Sequence, residues 1–319
     1  MNQEAEPMDY LHSKTAGETL FILGNGFDLN LDFPTSYKDF FSSDFSPFVH
    51  KDHGCHSLGR FIYQKGVLDK WYDLENLLAE YGKNVGRMDD EGVQGDKDDY
   101  KKLVHGLADY LATIDFSKPN VNSVAAKILG AAEDLIVPPK FYTFNYSDFS
   151  TIALALGINC STASHIHGSL RSKNIVLGVG EYVRLSPCVS YLHKTSNPTY
   201  NSGGILNALE SYDTIIIFGL SLSQVDYPYF EDFFKDVSSR RYRGDRKKYI
   251  RIFTRDEKSR MEILDNLRGM NSGLIKLMGY CDFDIIKTED NSDELKVKEV
   301  INHLSRNWKI ALLRKNTRK

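Results

Sequence analysis

Short, unbroken apolar runs alternate with longer amphipathic stretches along this chain. Five runs have the length and composition of strands that are buried on both faces, at 19–23, 140–144, 174–177, 214–218 and 249–253. Between these runs, apolar positions recur at helical spacing over 69–81, 99–112, 121–136, 227–237, 258–267 and 293–313. Strands that alternate with helices predict an α/β, Rossmann-like fold, with a largely parallel sheet and helices on both of its faces.

The polar stretches indicate how the chain is organised around this sheet. The segment 1–18 is polar, and we expect it to precede one domain that covers 19–319. A helical insertion is predicted at about 40–134, after the loop that follows the first strand. Two further segments, 86–99 and 238–248, have the composition of solvated loops. The second is rich in Arg and Lys, so a contact with nucleic acid stays open, although such runs more often form a solvated face.

Composition and charge narrow the class of protein. The chain of 319 residues is 41% hydrophobic, with a net charge of −3 and a pI near 6.3. This balance is typical of a globular protein and gives no overall attraction to nucleic acid or to an anionic membrane. The acidic start differs from a signal peptide, and no apolar run could span a bilayer, so we expect a cytoplasmic protein without membrane contacts. The four cysteines are too scattered for a metal knuckle or a disulfide framework.

A glycine-rich turn follows the first apolar run, with the sequence Gly24-Asn25-Gly26-Phe27-Asp28. In a parallel sheet, ligands bind beyond the carboxyl ends of the strands, where this turn would lie. Its glycines would let the backbone approach a nucleotide and direct amide N–H groups at a phosphate. A tight turn without a ligand is the alternative, because glycine also supplies positive φ.

Polar residues follow two later apolar runs in the same way. Asn145 comes directly after the aromatic run at 140–144, and Asp148 follows it. Both side chains can contact a ligand at the sheet edge, and a helix cap or an Asx turn is the alternative. The run at 214–218 ends in a small-residue turn that contains Gly219, Ser221 and Asp226. This turn can bind a phosphate or a ribose, and a helix N-terminus capped by one of its serines is the alternative.

Two histidines, His165 and His167, stand two positions apart before Gly168. If this segment is extended, both imidazoles lie on one face of it. Histidine is suited to proton transfer near neutral pH, so His167 is the candidate base, and two structural histidines are the alternative. A metal site is disfavoured because no third ligand lies nearby in the sequence. We expect the first glycine turn, Asn145, His167 and the Gly219 turn to line one pocket at the carboxyl edge of the sheet.

Trp71, Asp73 and Glu75 begin one of the amphipathic stretches. Acidic side chains in the first turn of a helix interact favourably with its dipole, so a structural role is favoured here over a catalytic one. These three residues are therefore not among the candidate site residues.

Six short motifs occur in order over about 19–255, namely Leu23-Gly24-Asn25-Gly26-Phe27-Asp28, Pro34-Thr35-Ser36-Tyr37, Trp71-Tyr72-Asp73-Leu74-Glu75, Thr143-Phe144-Asn145-Tyr146, His165-Ile166-His167-Gly168 and Gly219-Leu220-Ser221-Leu222. In the order and spacing of these motifs, the chain resembles the bacteriophage abortive-infection AbiH family. That resemblance implies a role in defence against phage.

The same order is similar, more distantly, to sirtuin-like NAD-binding domains, which carry a glycine turn, a Thr-x-Asn turn, a His-Gly pair and a Gly-x-Ser turn. This similarity implies that NAD is the ligand and that its nicotinamide–ribose bond is hydrolysed. On that basis, Asn145 would orient the ribose or the attacking water, and His167 would be the base. The remaining candidates would hold the nucleotide: Gly24, Asn25, Gly26, Phe27, Asp28, Asp148, Gly219, Ser221 and Asp226.

Departures from the sirtuin pattern leave the chemistry open. Ser147 stands where sirtuins have an aspartate, and their zinc-binding cysteine pairs are absent, so protein deacetylation is disfavoured. Asn25 and Asp28 replace small residues of the sirtuin turn, so another nucleotide can be the ligand. A non-catalytic nucleotide sensor and a toxin that acts on nucleic acid are the alternative functions. A homo-oligomer and a phage-derived trigger also stay open, and nucleic acid is a disfavoured partner.

Overall fold

The computed structural model describes residues 18–48, 56–68, 74–133, 135, 137–158, 162–202, 204–239 and 247–316. The described strands form one six-stranded sheet of β1 (Thr19–Leu23), β2 (Lys140–Thr143), β3 (Ser164–His165), β4 (Thr214–Phe218), β5 (Tyr249–Thr254) and β6 (Asp282–Lys287). All neighbouring strands are parallel, and their order is β3-β2-β1-β4-β5-β6. This is the strand order of a Rossmann sheet, so the predicted α/β, Rossmann-like fold is confirmed.

Helices connect these strands. They are α1 (Asn25–Asn30), α2 (Tyr37–Phe41), α3 (Ser57–Leu68), α4 (Leu74–Asn84), α5 (Asp90–Ala112), α6 (Val124–Glu133), α7 (Phe149–Ala155), α8 (Ile205–Ser211), α9 (Tyr227–Val237), α10 (Glu257–Gly269), α11 (Leu274–Tyr280) and α12 (Glu294–Asn316). The predicted ranges of α9, α10 and α12 agree with the structure to within a few residues. Long amphipathic stretches are therefore the part of the helical pattern that the sequence predicts best.

The side chains of β1 alternate between two hydrophobic layers. Leu20 and Ile22 pack with residues of α8, α9, α10 and α11 on one face of the sheet. Phe21 and Leu23 pack with residues of α6, α7 and α12 on the other face. The alternation follows from the pleat of a strand. Because β1 lies at the centre of the sheet, both faces are covered, and each buried side chain of this size stabilises the fold by about 1.5–3 kcal/mol.

A third hydrophobic cluster lies apart from the two sheet layers. It joins residues of α2, α3, α4 and α5 to the segment 175–192. We call these four helices the helical layer. Helix α6 falls within the predicted insertion at 40–134, but it packs on the sheet beside α12. The chain that follows β1 thus supplies both a separate helical layer and one helix of the sheet layer.

The expectation of a solvated loop at 86–99 is wrong, because most of this segment belongs to α5. Asp96 and Asp99 on this helix are fully buried. Asp96 Oδ1 accepts a hydrogen bond from Leu58 N at 2.9 Å, and Asp99 Oδ2 accepts one from Gly59 N at 3.0 Å. The N-terminal amides of a helix need acceptors from outside it, and here α5 supplies them to α3. The acidic composition therefore reflects helix capping rather than solvation.

The predicted strand at 174–177 is also wrong. Val176 N donates to His167 O at 2.8 Å, and Val176 O accepts from Tyr146 OH at 3.2 Å. These bonds hold the segment as a loop between the sheet and the helical layer. The sequence analysis missed β3, which is only two residues long, and β6, whose edge position leaves polar side chains along it.

Among the described helices, none combines the length and the apolar character that crossing a membrane requires. The polar segment 1–17 and most of the basic run, 240–246, lie outside the described residues. At the end of that run, Lys248 is buried, and its ammonium donates to Glu210 O at 3.0 Å and to Tyr212 O at 2.6 Å. Lys248 thus belongs to the packed fold, where its charge is taken up by backbone carbonyls.

The turns that follow β1 and β4 are in direct backbone contact. Gly26 N donates to Gly219 O at 2.9 Å, and Gly24 N donates to Phe218 O at 2.9 Å. Gly219 has a φ of 69°, and a Cβ atom at this position would lie only 2.2 Å from Phe27 N. Both the backbone conformation and the close approach therefore require glycine at position 219.

We expect Gly219→Ala to lower the free energy of unfolding by about 3 kcal/mol, because it combines an unfavourable positive φ with a collision against backbone atoms. Gly130 is the matched control, since it lies exposed in α6 with open space around its Cβ position. Gly130→Ala should raise stability by up to about 1 kcal/mol through helix propensity. Urea unfolding followed by circular dichroism measures both changes. Wild-type stability in Gly219→Ala would contradict the proposed contact.

Candidate functional site

A cleft of about 480 Å³ opens at the carboxyl edge of the sheet, where the sheet meets the helical layer. Its floor is formed by residues that follow β1, β2 and β3, and its wall by residues before and within α2, α4 and α5. The lining residues are Asn25, Asp28, Thr35, Tyr37, Glu75, Leu107, Leu111, Phe144, Asn145, Tyr146, Ser147 and His167. The structure thus brings Asn25, Asp28, Asn145 and His167 of the predicted site together.

Asp28 lies on α1, directly after the glycine turn, and is almost fully buried at the floor of the cleft. Burial raises the pKa of its carboxyl to about 7, against the opposing effect of side-chain hydrogen bonds with Ser147 and Asn145. Its Oδ1 atom has no hydrogen-bond partner. A carboxyl with this pKa is partly ionised at neutral pH, so it can take up or release a proton there.

Asn145 connects the end of β2 to the glycine turn after β1. Its side-chain Nδ2 donates to Gly24 O at 3.0 Å. The same side chain also interacts with Asp28 and lines the cleft. Asn145 therefore has a structural role at the strand ends and also presents an amide group to a ligand.

A buried ion pair lies against His167 at the wall of the cleft. Lys194 Nζ is 2.8 Å from Glu75 Oε1 and 3.2 Å from His167 Nε2. Tyr229 OH lies 3.4 Å from the same ring nitrogen. Burial and, to a lesser extent, the charge of Lys194 lower the pKa of His167 well below its usual range. The imidazole is therefore neutral at physiological pH.

The contact with Lys194 also determines the tautomer of His167. An ammonium group can only donate hydrogen bonds, so Nε2 accepts and the proton of the neutral ring lies on Nδ1. The lone pair that a general base requires is then already engaged. In this arrangement His167 is better suited to orienting a ligand than to removing a proton from one.

Three amides of the glycine turn form hydrogen bonds within the fold and are therefore not free for a phosphate. Gly24 N donates to Phe218 O at the end of β4, Gly26 N donates to Gly219 O in the turn after it, and Phe27 N donates to Gly24 O. The ring of Phe27 packs in the hydrophobic core. The close approach of Gly26 and Gly219 explains both glycines without a ligand, and Gly219 lies outside the residues that line the cleft.

Three further predicted ligand residues lie outside the cleft. Ser221 is exposed, and its carbonyl accepts from Asn266 Nδ2 at 3.0 Å. Asp226 forms a capping box with Ser223, whose backbone N donates to Asp226 Oδ2 at 3.2 Å. Asp148 caps α7 by accepting from two backbone amides at 3.1 and 3.3 Å. For Asp148 and Asp226, the capping alternative therefore describes the observed contacts.

The two histidines line different clefts, because the extended segment on which a shared face depends ends at His165. His165 ends β3, and its Nδ1 lies 3.0 Å from Asn145 O. Its side chain lines a second cleft together with Asp148, whereas His167 lines the first. The reason is that the strand stops at His165, and the chain turns before Gly168, which has a φ of 76°.

The charge of the cleft lining favours a sugar over a phosphate. Asp28 and Glu75 carry acidic groups, and none of the described lining residues is Lys or Arg. Lys194 neutralises Glu75, so the ionised form of Asp28 is the charge that would repel a phosphate, and no cation of the lining would hold one. The hydroxyl of Thr35 and the amides of Asn25 and Asn145 can instead exchange hydrogen bonds with sugar hydroxyls. Across the described residues, no group of three or more His, Cys, Asp and Glu side chains could hold a metal ion.

Glu75 and Lys194 are the site residues that the sequence analysis missed. Glu75 does lie in the first turn of α4, but its carboxylate is buried against Lys194. Lys194 stands in a polar stretch without a predicted element, 119 positions further along the chain. A pair at this separation leaves no spacing pattern, and the excess of polar residues around it gives no sign of burial. Trp71 and Asp73, which the sequence analysis considered together with Glu75, lie outside the described residues.

The residues of this cleft lie within a region that matches a known protein family. A family model described as bacteriophage abortive infection AbiH matches residues 20–244. The chain belongs to the AbiH family. The matched range of this AbiH chain includes all residues that line the cleft, and also Lys194. No curated protein and no solved structure matches it.

In this AbiH protein, we expect Lys194→Met to lower the free energy of unfolding by about 3 kcal/mol, because it leaves the buried Glu75 carboxylate without its cation. Glu75→Gln should also destabilise the fold. The double variant should lose less than the sum of the two single variants, since neither charge is then buried alone. Urea unfolding of the four proteins measures this coupling.

The control for this double-mutant comparison is the exposed pair of Glu294 and Lys298, whose charged groups lie 2.7 Å apart on α12. Glu294→Gln and Lys298→Met should show no measurable coupling, because water screens an exposed pair. Additive effects of the substitutions at Glu75 and Lys194 would contradict a stabilising role for the buried pair.

Proposed function

We propose that this AbiH-family protein acts in defence against phage by binding a nucleotide in the cleft and cleaving its glycosidic bond, with NAD as the substrate. The observation that carries this proposal is the convergence of Asp28, Asn145 and His167 at the carboxyl edge of one parallel sheet. Sheets of this strand order bind nucleotides at that edge.

The acidic lining supports one orientation of the substrate. We propose that the ribose and the nicotinamide enter the cleft, while the diphosphate stays outside it. The ionised form of Asp28 would repel a phosphate, but it favours the positive charge of the pyridinium ring. This orientation brings the nicotinamide–ribose bond to the floor of the cleft.

The same residues fit the reaction. Cleavage of the nicotinamide–ribose bond develops positive charge on the ribose, and the Asp28 carboxylate, already in position, would stabilise that charge without reorganisation. The amide of Asn145 can both donate to and accept from a ribose hydroxyl. His167 can orient a hydroxyl or carbonyl of the substrate through its Nδ1 proton. The role of general base, which the sequence pattern indicated for His167, then belongs to another group.

A non-catalytic nucleotide sensor is the second candidate function. It is favoured by the engagement of His167 Nε2 and by the low pKa of that ring. A sensor in the same cleft would bind NAD or a related nucleotide without turnover. Calorimetry and a cleavage assay on the same protein sample distinguish the two functions.

We expect His167→Ala and Asn145→Ala to reduce NAD cleavage by about a hundredfold, because each removes a group that positions the substrate. Both variants should also lose phage protection. His165→Ala is the matched control, since this histidine lines the second cleft and should have the smaller effect. NAD levels in infected cells, the cleavage rate of purified protein and plaque counts measure these outcomes, and circular dichroism verifies folding.

Two results would overturn the hydrolase proposal. One is a cellular NAD level that stays constant during a protective response. The other is full protection by the His167→Ala variant. Binding of NAD without turnover would support the sensor instead, and clear binding of a different nucleotide would transfer the proposal to that nucleotide.

A further inference from the structure

We propose that Asp28 is the catalytic residue that accepts the proton of the attacking water, an inference that rests on the glycosidic cleavage proposed above. Its carboxyl lies at the floor of the cleft, and its Oδ1 atom is buried without a hydrogen-bond partner. Ser147 and Asn145 interact with the same carboxyl and hold it in place. The unpartnered oxygen is thus the atom that a water molecule or a substrate hydroxyl would contact.

Two other buried carboxyls in this chain have partners at both of their oxygens, as is typical of acids with a purely structural role. Asp96 accepts hydrogen bonds at both oxygens, from Leu58 N at one and from Tyr81 OH at the other. Asp99 accepts two backbone hydrogen bonds at Oδ2, and Lys102 lies 3.5 Å from Oδ1. Asp28 differs because one oxygen is left without a partner, which costs stability. Among the acids that line the cleft, Asp28 thus has an oxygen free to accept a proton.

The other titratable groups of the cleft are less suited to this role. Glu75 is paired with Lys194, and His167 Nε2 is engaged by the same ammonium. Burial holds the pKa of Tyr146 well above its usual range, so its hydroxyl stays protonated. Tyr37 of α2 also lines the cleft, while α5 contributes only leucines. Burial, opposed by the bonds to Ser147 and Asn145, accounts for the pKa of Asp28 near 7.

The step balances without a further reactant. The oxygen of one water molecule bonds to C1′ of the ribose while the bond from C1′ to the pyridinium nitrogen breaks. The electron pair of that bond stays on the nitrogen, so nicotinamide leaves as a neutral molecule. Asp28 takes one proton of the water at Oδ1 and releases it to solvent after the product departs. The overall products are ADP-ribose, nicotinamide and one proton.

The ionised form of Asp28 is the active one, and this determines how the rate of NAD cleavage changes with pH. Below the pKa of about 7, Asp28 is mostly protonated and cannot accept the water proton. The rate should therefore rise with pH through this region. Ionisation of a buried carboxyl also opposes folding, because the folded state favours the neutral acid relative to the unfolded chain. Asp28→Asn should accordingly unfold at a higher urea concentration than the wild type at pH 8.

The experiment compares NAD cleavage by the wild type, Asp28→Asn and Asp293→Asn between pH 5 and pH 9, together with NAD binding by calorimetry. Asp293 is the control because its carboxyl is also buried but lies outside the cleft, where it accepts from Lys287 N at 2.8 Å. Asp28→Asn should keep NAD binding, lose cleavage by at least about a hundredfold and lose the rise of rate with pH. Asp293→Asn should keep the wild-type profile.

The outcomes separate this inference from the proposed function. If the wild type cleaves NAD and Asp28→Asn cleaves it equally fast, or keeps the same pH profile, the role of Asp28 is overturned and the proposed function stands. If the wild type does not cleave NAD during infection, both are overturned. Urea unfolding at pH 8 detects a variant that has lost activity only because it fails to fold.

Discussion

The turns that follow β1 and β4 touch through their backbones, and the geometry of the cleft depends on this contact. Gly26 donates to Gly219, and neither position has room for a side chain. The contact holds the start of α1 in place, so that Asp28 lies at the floor of the cleft. It also uses amides that would otherwise be available to a phosphate. One close backbone approach therefore positions an acid and removes an anion site at the same time.

Buried charge is the second constraint on the cleft. The Lys194 ammonium neutralises Glu75 and engages Nε2 of His167, and its charge adds to the larger effect of burial in lowering the pKa of that ring. Because all three groups are removed from water, a change at one alters the others more strongly than it would at the surface. Asp28 has no such cation, and its pKa is raised instead. Of the two acids that line the cleft, Glu75 thus stays paired, whereas Asp28 can exchange a proton near neutral pH.

The sequence predicted the parts of this structure that depend on local patterns. Unbroken apolar runs identified β1, β2, β4 and β5, and the rule that ligands bind at the carboxyl ends of parallel strands pointed to Asp28, Asn145 and His167. Contacts between distant segments could not be predicted. No spacing pattern in the sequence indicates that Glu75 pairs with Lys194. The glycines were predicted to contact a ligand because their packing partner is far away in the chain. Likewise, buried acids in α5 look like loop residues until their helix-capping partners are known.

The cleft lies where two independently packed parts of the chain meet. Asp28 lies on α1 after β1, and Asn145 follows β2, whereas Glu75 belongs to the helical layer. The backbone N of Lys194 donates to Val179 O in the loop that packs against that layer. His167 lies between them, with Lys194 on one side and Tyr229 on the other. Breaking a buried ion pair is costly, so these groups are held in one arrangement before any ligand binds. A fixed polar arrangement lowers the barrier of a reaction that develops charge, whereas a sensor needs an element with two arrangements of similar energy. A preorganised polar arrangement of this kind is what the proposed glycosidic cleavage requires.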